Sequence, residues 1–280
     1  MRVLIITLFL ALSSFYCSSQ IDPLLQSIIE ENEVHYESVG LGGSTSDQYL
    51  RYRKLVKIAS DEKLLDLTKH ENPTVRCYAS WGLVERNFSD LGSVFQNFLT
   101  NDDRVTSFSG CIKSTSYISS QFYHKYWNSL RMSGKDLEYD KTLIQLDSLV
   151  LYQEDPDGLL LIRALENRVY SSNFLPRIEE LAFEAKNEDA IFYLANWHRA
   201  EYKNELEKFL IKYLKETNFS EKGAWKYLKI VKEIFAFKNE GYHEIIVDKL
   251  RADTFWRGYP YEEKFLLLLE DYYIYDYDLK

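Results

Sequence analysis

Apolar residues recur along most of this chain at three- and four-residue intervals, the spacing that lines one face of an α-helix. Leu91, Val94, Phe95, Phe98 and Leu99 form one such stripe, and Ile118, Phe122, Tyr123, Tyr126, Trp127 and Leu130 form another. The pattern returns at Ile178, Leu181, Ala182 and Ala185, and again at Leu206, Phe209, Leu210, Tyr213 and Leu214. Ala224, Tyr227, Leu228, Val231, Ile234 and Phe235 make the best amphipathic stretch. Shorter stripes lie at Leu24, Leu25, Ile28 and Ile29, and at Tyr52, Leu55, Val56 and Ala59. No period-two alternation stands out, so the pattern predicts an all-α protein.

Helix starts carry their own signals. Asn72 before Pro73 pairs a capping side chain with a proline at the first helical position, where its missing N–H costs nothing. Asp155 before Pro156 repeats the device. Asn187, followed by Glu188 and Asp189, sets acid at a helix N-terminus. Thr45 with Gln48 reads as a capping box. These starts divide the chain into helices of roughly 10–16 residues joined by short turns, as helical hairpins require.

Residues 61–86, DEKLLDLTKHENPTVRCYASWGLVER, read as helix, tight turn, helix. In the second helix Val75, Tyr78, Ala79, Gly82 and Leu83 share one face, while Cys77, Trp81 and Val84 share another. A helix apolar on two sides lies between neighbours. The Asn72-Pro73-Thr74-Val75-Arg76 start, Ala79 and the Gly82-Leu83 pair resemble the second helix of a HEAT repeat. The resemblance implies an α-α superhelix in which cap and proline set the turn, the small residue admits close helix approach, and Arg76 pins neighbouring layers. Looser echoes start at Asn101, Asp155 and Asn187, with an insertion across Ser114–Asp140. The Gly-rich lead-in and the NPTVRCYASWGL stretch also resemble exported HEAT-type proteins of Bacteroidetes-type bacteria, a likeness that brings no activity with it. The expected organisation is a signal peptide over 1–19, an N-terminal helix and Gly-rich connector over 20–45, and a solenoid over 46–280.

The signal-peptide reading rests on Arg2, the apolar run Val3–Leu12 and the small residues Cys17 and Ser19 before a cleavage that leaves Gln20 first. A rival reading makes Cys17 a lipid anchor, although Tyr16 stands where such cysteines follow a small residue. The Val3–Leu12 run is too short to span a bilayer, and no later stretch is long enough. The chain of 280 residues, 34 Lys+Arg against 43 Asp+Glu, has net charge −9. Losing Arg2 would take it from −9 to −10. An acidic chain repels phosphate backbones, which speaks against nucleic acid as a partner. Few Gly and Pro, 11 and 5, argue against an all-β chain with its frequent turns. Cys77 and Cys111 both fall in stretches read as helical, where buried free thiols are expected; in an oxidising compartment they could instead pair.

Candidate chemistry is sparse. Gly40-Leu41-Gly42-Gly43-Ser44-Thr45-Ser46 lacks the Gly-Lys-Ser/Thr ending of a phosphate loop and reads as a flexible connector. His35, His70, His124, His198 and His243 show no metal-ligand spacing, with His198 and His243 read as core or helix-end residues. Neither a nucleophile elbow nor a catalytic cysteine context is present. The acid pairs Glu179–Glu180 and Glu262–Glu263, and Glu154 near Asp155 and Asp157, would serve glycoside cleavage only when facing each other across a cleft; otherwise they are solvated faces. The irregular segment Phe255–Tyr261 holds Trp256, Arg257, Tyr259 and Tyr261, residue types favoured as interface anchors, and these four are the candidate partner-binding residues. The alternative is a helix end at Gly258, a helix start at Pro260 and aromatics plugging the last layer, and the tail from Tyr272 to Tyr277 invites the same two readings.

These features point to a non-catalytic binding or scaffold protein outside the cytoplasm, without cofactor or metal, using a helical-repeat surface to hold a protein or polymer. The second expectation is an all-α hydrolase or lyase acting on polysaccharide.

Overall fold

The computed structural model describes residues 21–154, 156–217, 220, 223–275 and 279. The expected signal peptide and Cys17 lie outside them, as do Asp155, Asp276 and Tyr277. The chain is mostly helical, and it divides into two compact units between Arg168 and Val169.

In the first unit, α1 runs to residue 31, and Asn32 ends it in the left-handed conformation, φ +51°. β1 (Val34–Val39) follows, then α2 (Asp47–Ile58), α3 (Asp61–Leu67), α4 (Pro73–Glu85) and α5 (Leu91–Thr100). The hairpin of β2 (Arg104–Gly110) and β3 (Ile112–Tyr117) comes next, then α6 (Ile118–Met132), α7 (Lys141–Leu151) and α8 (Gly158–Glu166). α3 packs on α4, α4 on α6, α5 on α6 and α7, and α7 on α8.

The three strands correct the purely helical expectation. They form one sheet in the order β1-β2-β3, with β1 parallel to β2 and β2 antiparallel to β3. Along β2 the side chains do alternate: Val105 and Ser107 are buried, while Arg104 is exposed. This face is made largely of serines, Ser107, Ser109, Ser114 and Ser116, so a hydrophobic pattern cannot register the period of two. The Asn101 segment, which resembles a repeat helix start, is therefore a hairpin. Gly110 opens its two-residue turn with φ +51°, the left-handed region that such turns need. Cys111, expected to be buried in a helix, occupies the second turn residue and is exposed; Cys77 is buried, and both thiols are free.

α4 is the centre of the unit, and both faces read from sequence are buried. Asn72 Oδ1 accepts from the amides of Thr74 and Val75, and Pro73 holds the first turn. A Cβ on Gly82 would lie 3.0 Å from Val56 Cγ2 and 3.1 Å from Leu64 Cδ1, so glycine is what lets α4 approach α2 and α3 this closely. Trp81, Tyr78, Tyr52 and Tyr36 form an aromatic cluster beside the sheet, with Tyr52 stacked on Tyr78 at 4.8 Å. Arg76 pairs with Asp103 ahead of β2. At the far end, buried Asp147 on α7 receives Arg168 at 2.6 Å, Asn167 and the Tyr123 hydroxyl. That is the hydrogen-bonded surrounding a buried carboxylate requires.

Two helix starts differ from expectation. Ser46, one residue after Thr45, caps α2 and accepts from the Tyr49 amide. Gln48 is drawn inward to donate to the carbonyls of Ile28 and Glu33, 3.1 and 3.0 Å away. α8 is capped by Asp157, which accepts from Leu159, in place of Asp155 with Pro156.

The second unit contains α9 (Leu175–Glu179), continued by a π-helical turn Glu180–Glu184, then α10 (Glu188–Trp197), α11 (Lys203–Glu216), α12 (Ala224–Phe235), α13 (Gly241–Ala252), a 3₁₀ turn Thr254–Arg257 and α14 (Tyr261–Glu270). Asn187 caps α10 as its sequence predicts, accepting from Asp189 and Ala190. Neighbours in sequence pack together: α10 on α9 and α11, α11 on α12, and α12 on α13 and α14. Tyr227, Phe265 and Trp256 fill the core of this end.

Candidate functional site

The first unit contains a cleft of about 480 Å³ beneath the inner face of the β2–β3 hairpin. Its sheet side carries Ser107, Ser109, Ser114 and Ser116, joined by Tyr36 of β1. α6 supplies Ser120, Gln121, Tyr123, His124 and Asn128; α8 supplies Leu159, Leu160, Ile162, Arg163 and Glu166. The sheet, α6 and α8 thus converge, and the polar groups they present are mainly neutral hydroxyls and amides, beside an apolar wall of Leu159, Leu160 and Ile162.

Gln121 fixes this wall. Its Oε1 accepts from the Tyr36 hydroxyl at 2.8 Å, while its Nε2 donates to Ser116 Oγ at 2.8 Å and Ser107 Oγ at 3.3 Å. The Gln121 carbonyl accepts from the buried Trp81 indole at 3.3 Å. Ser107 and Ser114 hydroxyls lie 3.1 Å apart across the hairpin. Burial drives the Tyr36 hydroxyl far above the usual phenol range, so it stays protonated and donates. A network held this way presents preset donors and acceptors at little further ordering cost.

The charged end of the cleft is Arg163, which lies 3.0 Å from Glu166 and 4.8 Å over the Trp127 ring; Arg131 covers the same ring at 4.5 Å. Burial, reinforced by the Arg163 charge, lowers the His124 pKa from its ordinary value, so this imidazole is neutral at pH 7.

A smaller pocket of about 260 Å³ is lined by Asp102, Tyr117, Ser119, Gln153, Asp157 and Leu160. Asp102 caps α6 from outside, accepting from the Ser119 amide at 3.2 Å, and burial raises its pKa. Asp157 accepts from Leu159 and from the Ser120 hydroxyl at 3.1 Å.

The sequence-derived candidates fall elsewhere. Trp256 is 0% exposed, its indole donating to the Leu250 carbonyl at 2.9 Å, so this anchor candidate has no surface to offer. Arg257 lies 4.6 Å over the Trp256 ring and 3.7 Å from Glu262. Tyr259 is 96% exposed, and Tyr261 packs edge-on against Trp225 at 5.6 Å. Only Tyr259 of the four is both aromatic and open.

His35 is buried, with Nδ1 2.9 Å from Ser46 Oγ and Nε2 3.1 Å from Glu33. Glu31, Glu33 and His35 bring ligand-type atoms within 4.8 Å of one another, a cluster that sequence spacing did not suggest. Lys113 pairs with Glu33 at 2.7 Å. His198 ends α10 and reaches Glu201 at 3.1 Å, while His243 meets Phe235 edge-on at 5.5 Å. Glu180 pairs with Arg177 at 2.7 Å and Glu179 accepts from Tyr202, as surface acids do. Among the described residues no helix is long and apolar enough to cross a membrane.

The cleft itself escaped sequence reading because its serines carry no spacing signature. The one available signal was the run Ser107-Phe108-Ser109 and Ser114-Thr115-Ser116, a polar alternation around a glycine turn.

Comparison of the chain with protein-family models, with curated proteins and with solved structures gives no match.

Proposed function

We propose that this chain is an exported, non-catalytic binding protein that holds a protein or polymer partner outside the cytoplasm, with the serine-lined cleft of the first unit as its binding site. The carrying observation is the Gln121-centred network, which orders Tyr36, Ser107 and Ser116 on one wall of an open cleft of about 480 Å³. Concave sites with a few fixed polar groups are where ligands bind. Export rests on Arg2, the apolar run Val3–Leu12 and the small residues before Gln20. A HEAT-like solenoid remains the reading of how the helical hairpins stack, supported by the two buried faces of α4 and by the packing of helices on their sequence neighbours within each unit.

The test places a photocrosslinking amino acid at His124, on the cleft wall, or at exposed Met132 as the control. Cells expressing each full-length chain are irradiated and fractionated, and the mature mass is measured. The proposal expects an envelope or extracellular location and one dominant adduct from position 124 that position 132 does not give. A cytoplasmic protein, or identical adducts from both positions, contradicts it.

The second reading, a polysaccharide-active hydrolase, is favoured by one observation: Asp102, whose pKa burial raises, shares the smaller pocket with Asp157. A carboxyl with a raised pKa near a second carboxylate is the kind of pair glycoside cleavage uses. Release of reducing ends from oligosaccharides, abolished by Asp102→Asn and by Asp157→Asn, would establish it; no release from any oligosaccharide removes it.

A further inference from the structure

The two edges of the small sheet differ in how their backbone is occupied. On β1, the His35 amide donates to the Tyr78 hydroxyl at 2.6 Å, and that hydroxyl donates to the His35 carbonyl at 3.2 Å. Val39 exchanges both its backbone bonds with Ser44, 2.9 and 3.1 Å, and Gln48 takes the Glu33 carbonyl. The β1 edge is therefore taken up by its own chain at Glu33, His35 and Val39.

The β3 edge is not closed in this way. The ladder of β2 and β3 pairs Ser116 with Val105, Thr115 with Thr106, Ser114 with Ser107 and Lys113 with Phe108. The Ile118 amide donates to the Asp103 carbonyl at 2.9 Å, which fixes the phase. In an antiparallel pair the bonded positions recur every second residue, so Ile112, Ser114 and Ser116 turn their amides and carbonyls towards β2. Lys113 and Thr115 turn both theirs away from the sheet and Tyr117 its amide, while the Tyr117 carbonyl, at the N-cap of α6, starts that helix. Among the described residues no other element takes these outward groups, and Lys113 and Thr115 are exposed.

Side chains alternate with the same period as the backbone groups. Ser114 and Ser116 stand on the inner face and line the cleft. Any chain that hydrogen-bonds to Lys113, Thr115 and Tyr117 would direct every second side chain into that cleft, beside the serines and Gln121. An extended peptide is the ligand that satisfies a row of alternating amides and carbonyls. The cleft's neutral hydroxyls and amides suit small or polar side chains at the inward positions.

We propose that the partner's recognition element is an extended peptide that adds to the open edge of β3 as a fourth strand and seats alternate small or polar side chains in the serine-lined cleft. This rests on the reading of the cleft as a binding site and names what fills it.

The discriminating substitution is Thr115→Pro. The Thr115 amide points away from β2, so proline there spares the hairpin ladder and removes only the outward donor, as edge strands tolerate. Thr115→Val keeps the donor. A heptapeptide display library is selected on the full chain, and the selected peptides are measured against all three proteins. The expected results are binding weakened about tenfold or more by Thr115→Pro and unchanged by Thr115→Val. Amides 113, 115 and 117, fast in the free protein, should gain protection from hydrogen exchange in the complex, while 112, 114 and 116 are protected throughout. Circular dichroism and hydrogen exchange of the free Thr115→Pro chain establish that its hairpin is intact; a disrupted hairpin transfers the decision to the exchange pattern of the parent protein. Selected peptides that leave those three amides unprotected overturn the proposal. So does concentration-dependent self-association that protects the same amides, since a second copy would then be the occupant. Capture of oligosaccharides on an array, lost in a cleft-filling Ser109→Trp chain, with no peptide selected, overturns the peptide and leaves the binding site standing. If neither ligand class is retained, the peptide proposal and the cleft reading fall together.

Discussion

The Tyr78 hydroxyl and the His35 backbone form a two-way hydrogen bond, 2.6 Å from the His35 amide and 3.2 Å to its carbonyl. A side chain of the central helix α4 thereby does for β1 what another strand would do, and both groups are buried. Tyr78→Phe keeps the ring and its stack on Tyr52 but leaves an amide and a carbonyl unpaired. Leaving a buried backbone group unsatisfied costs about 1–3 kcal/mol, so the variant should lose about that much unfolding free energy and unfold at a lower denaturant concentration. An unchanged midpoint would show that β1 does not depend on this bond.

Gly82 and Gly92 differ in a way that stability measurements can read. A Cβ on Gly82 meets the packed carbons of Val56 and Leu64, whereas the atoms nearest to one on Gly92 are the amide end of the Gln145 side chain, which can swing aside. Gly82→Val should cost about 1–3 kcal/mol through overpacking. Gly92→Ala should be close to neutral or stabilising, because alanine is the better helix former. Denaturant titration of both variants decides between them, and equal destabilisation would contradict the packing of α4 against α2 and α3.

Asp147 gives a pH dependence whose sign follows from burial, which raises its pKa from 3.8 to about 6. Below about pH 4 the carboxyl is protonated in folded and unfolded chains alike, and its stabilising contribution is complete. Between about pH 4 and 6 the unfolded chain releases the proton while the folded chain keeps it, so this contribution is lost as pH rises. The loss amounts to about 3 kcal/mol at about 1.4 kcal/mol per pH unit. The unfolding free energy of the parent minus that of Asp147→Asn should therefore fall across this window and level off above pH 6. A difference that is flat or that rises with pH would refute the assignment.

The two thiols should separate by reactivity. Cys111 in the hairpin turn is exposed, and buried Cys77 has its thiol pKa pushed well above the usual range by desolvation. In the chain that begins at Gln20, and so lacks Cys17, a thiol reagent should modify one cysteine in the native state, and Cys111→Ser should abolish that reaction until denaturant is added. Two native equivalents would mean that α4 is not packed as described.

Trp256 and Tyr259 lie three residues apart and should behave in opposite ways. Truncating Trp256 to Ala removes a fully buried ring and should cost about 3–5 kcal/mol in the second unit. Tyr259→Ser should leave the melting temperature within experimental error, since the side chain is almost wholly exposed. Calorimetry of the two variants provides the check.

Helical periodicity carried most of the fold: both buried faces of α4, the caps at Asn72 and Asn187, and the stripes of α5, α6, α11 and α12 all follow from residue spacing. What escaped has a common physical origin. The sheet buries Ser107 where a hydrophobic pattern expects an aliphatic residue, and it turns through Gly110-Cys111, a dipeptide with only a weak turn signal. The cleft is legible only once Gln121, Tyr36 and three serines from separate elements are brought together, a relation between residues up to 85 positions apart. Trp256 is the converse case: of the two readings its segment allowed, interface anchor or plug of the last layer, the plug holds for this residue, whose indole finds the Leu250 carbonyl and closes the core.

The central claim, that the serine-lined cleft is where a partner is held, is tested most directly by filling it. Ser109 is an exposed cleft residue outside the Gln121 network, so Ser109→Trp occupies the space without breaking the bonds beneath it. The measurement is the yield of the adduct formed by the photocrosslinker at position 124, compared between this variant and the otherwise identical chain. A yield lowered at least about tenfold at equal protein stability is the predicted result. The same adduct at the same yield would show that the partner binds elsewhere and would contradict the account.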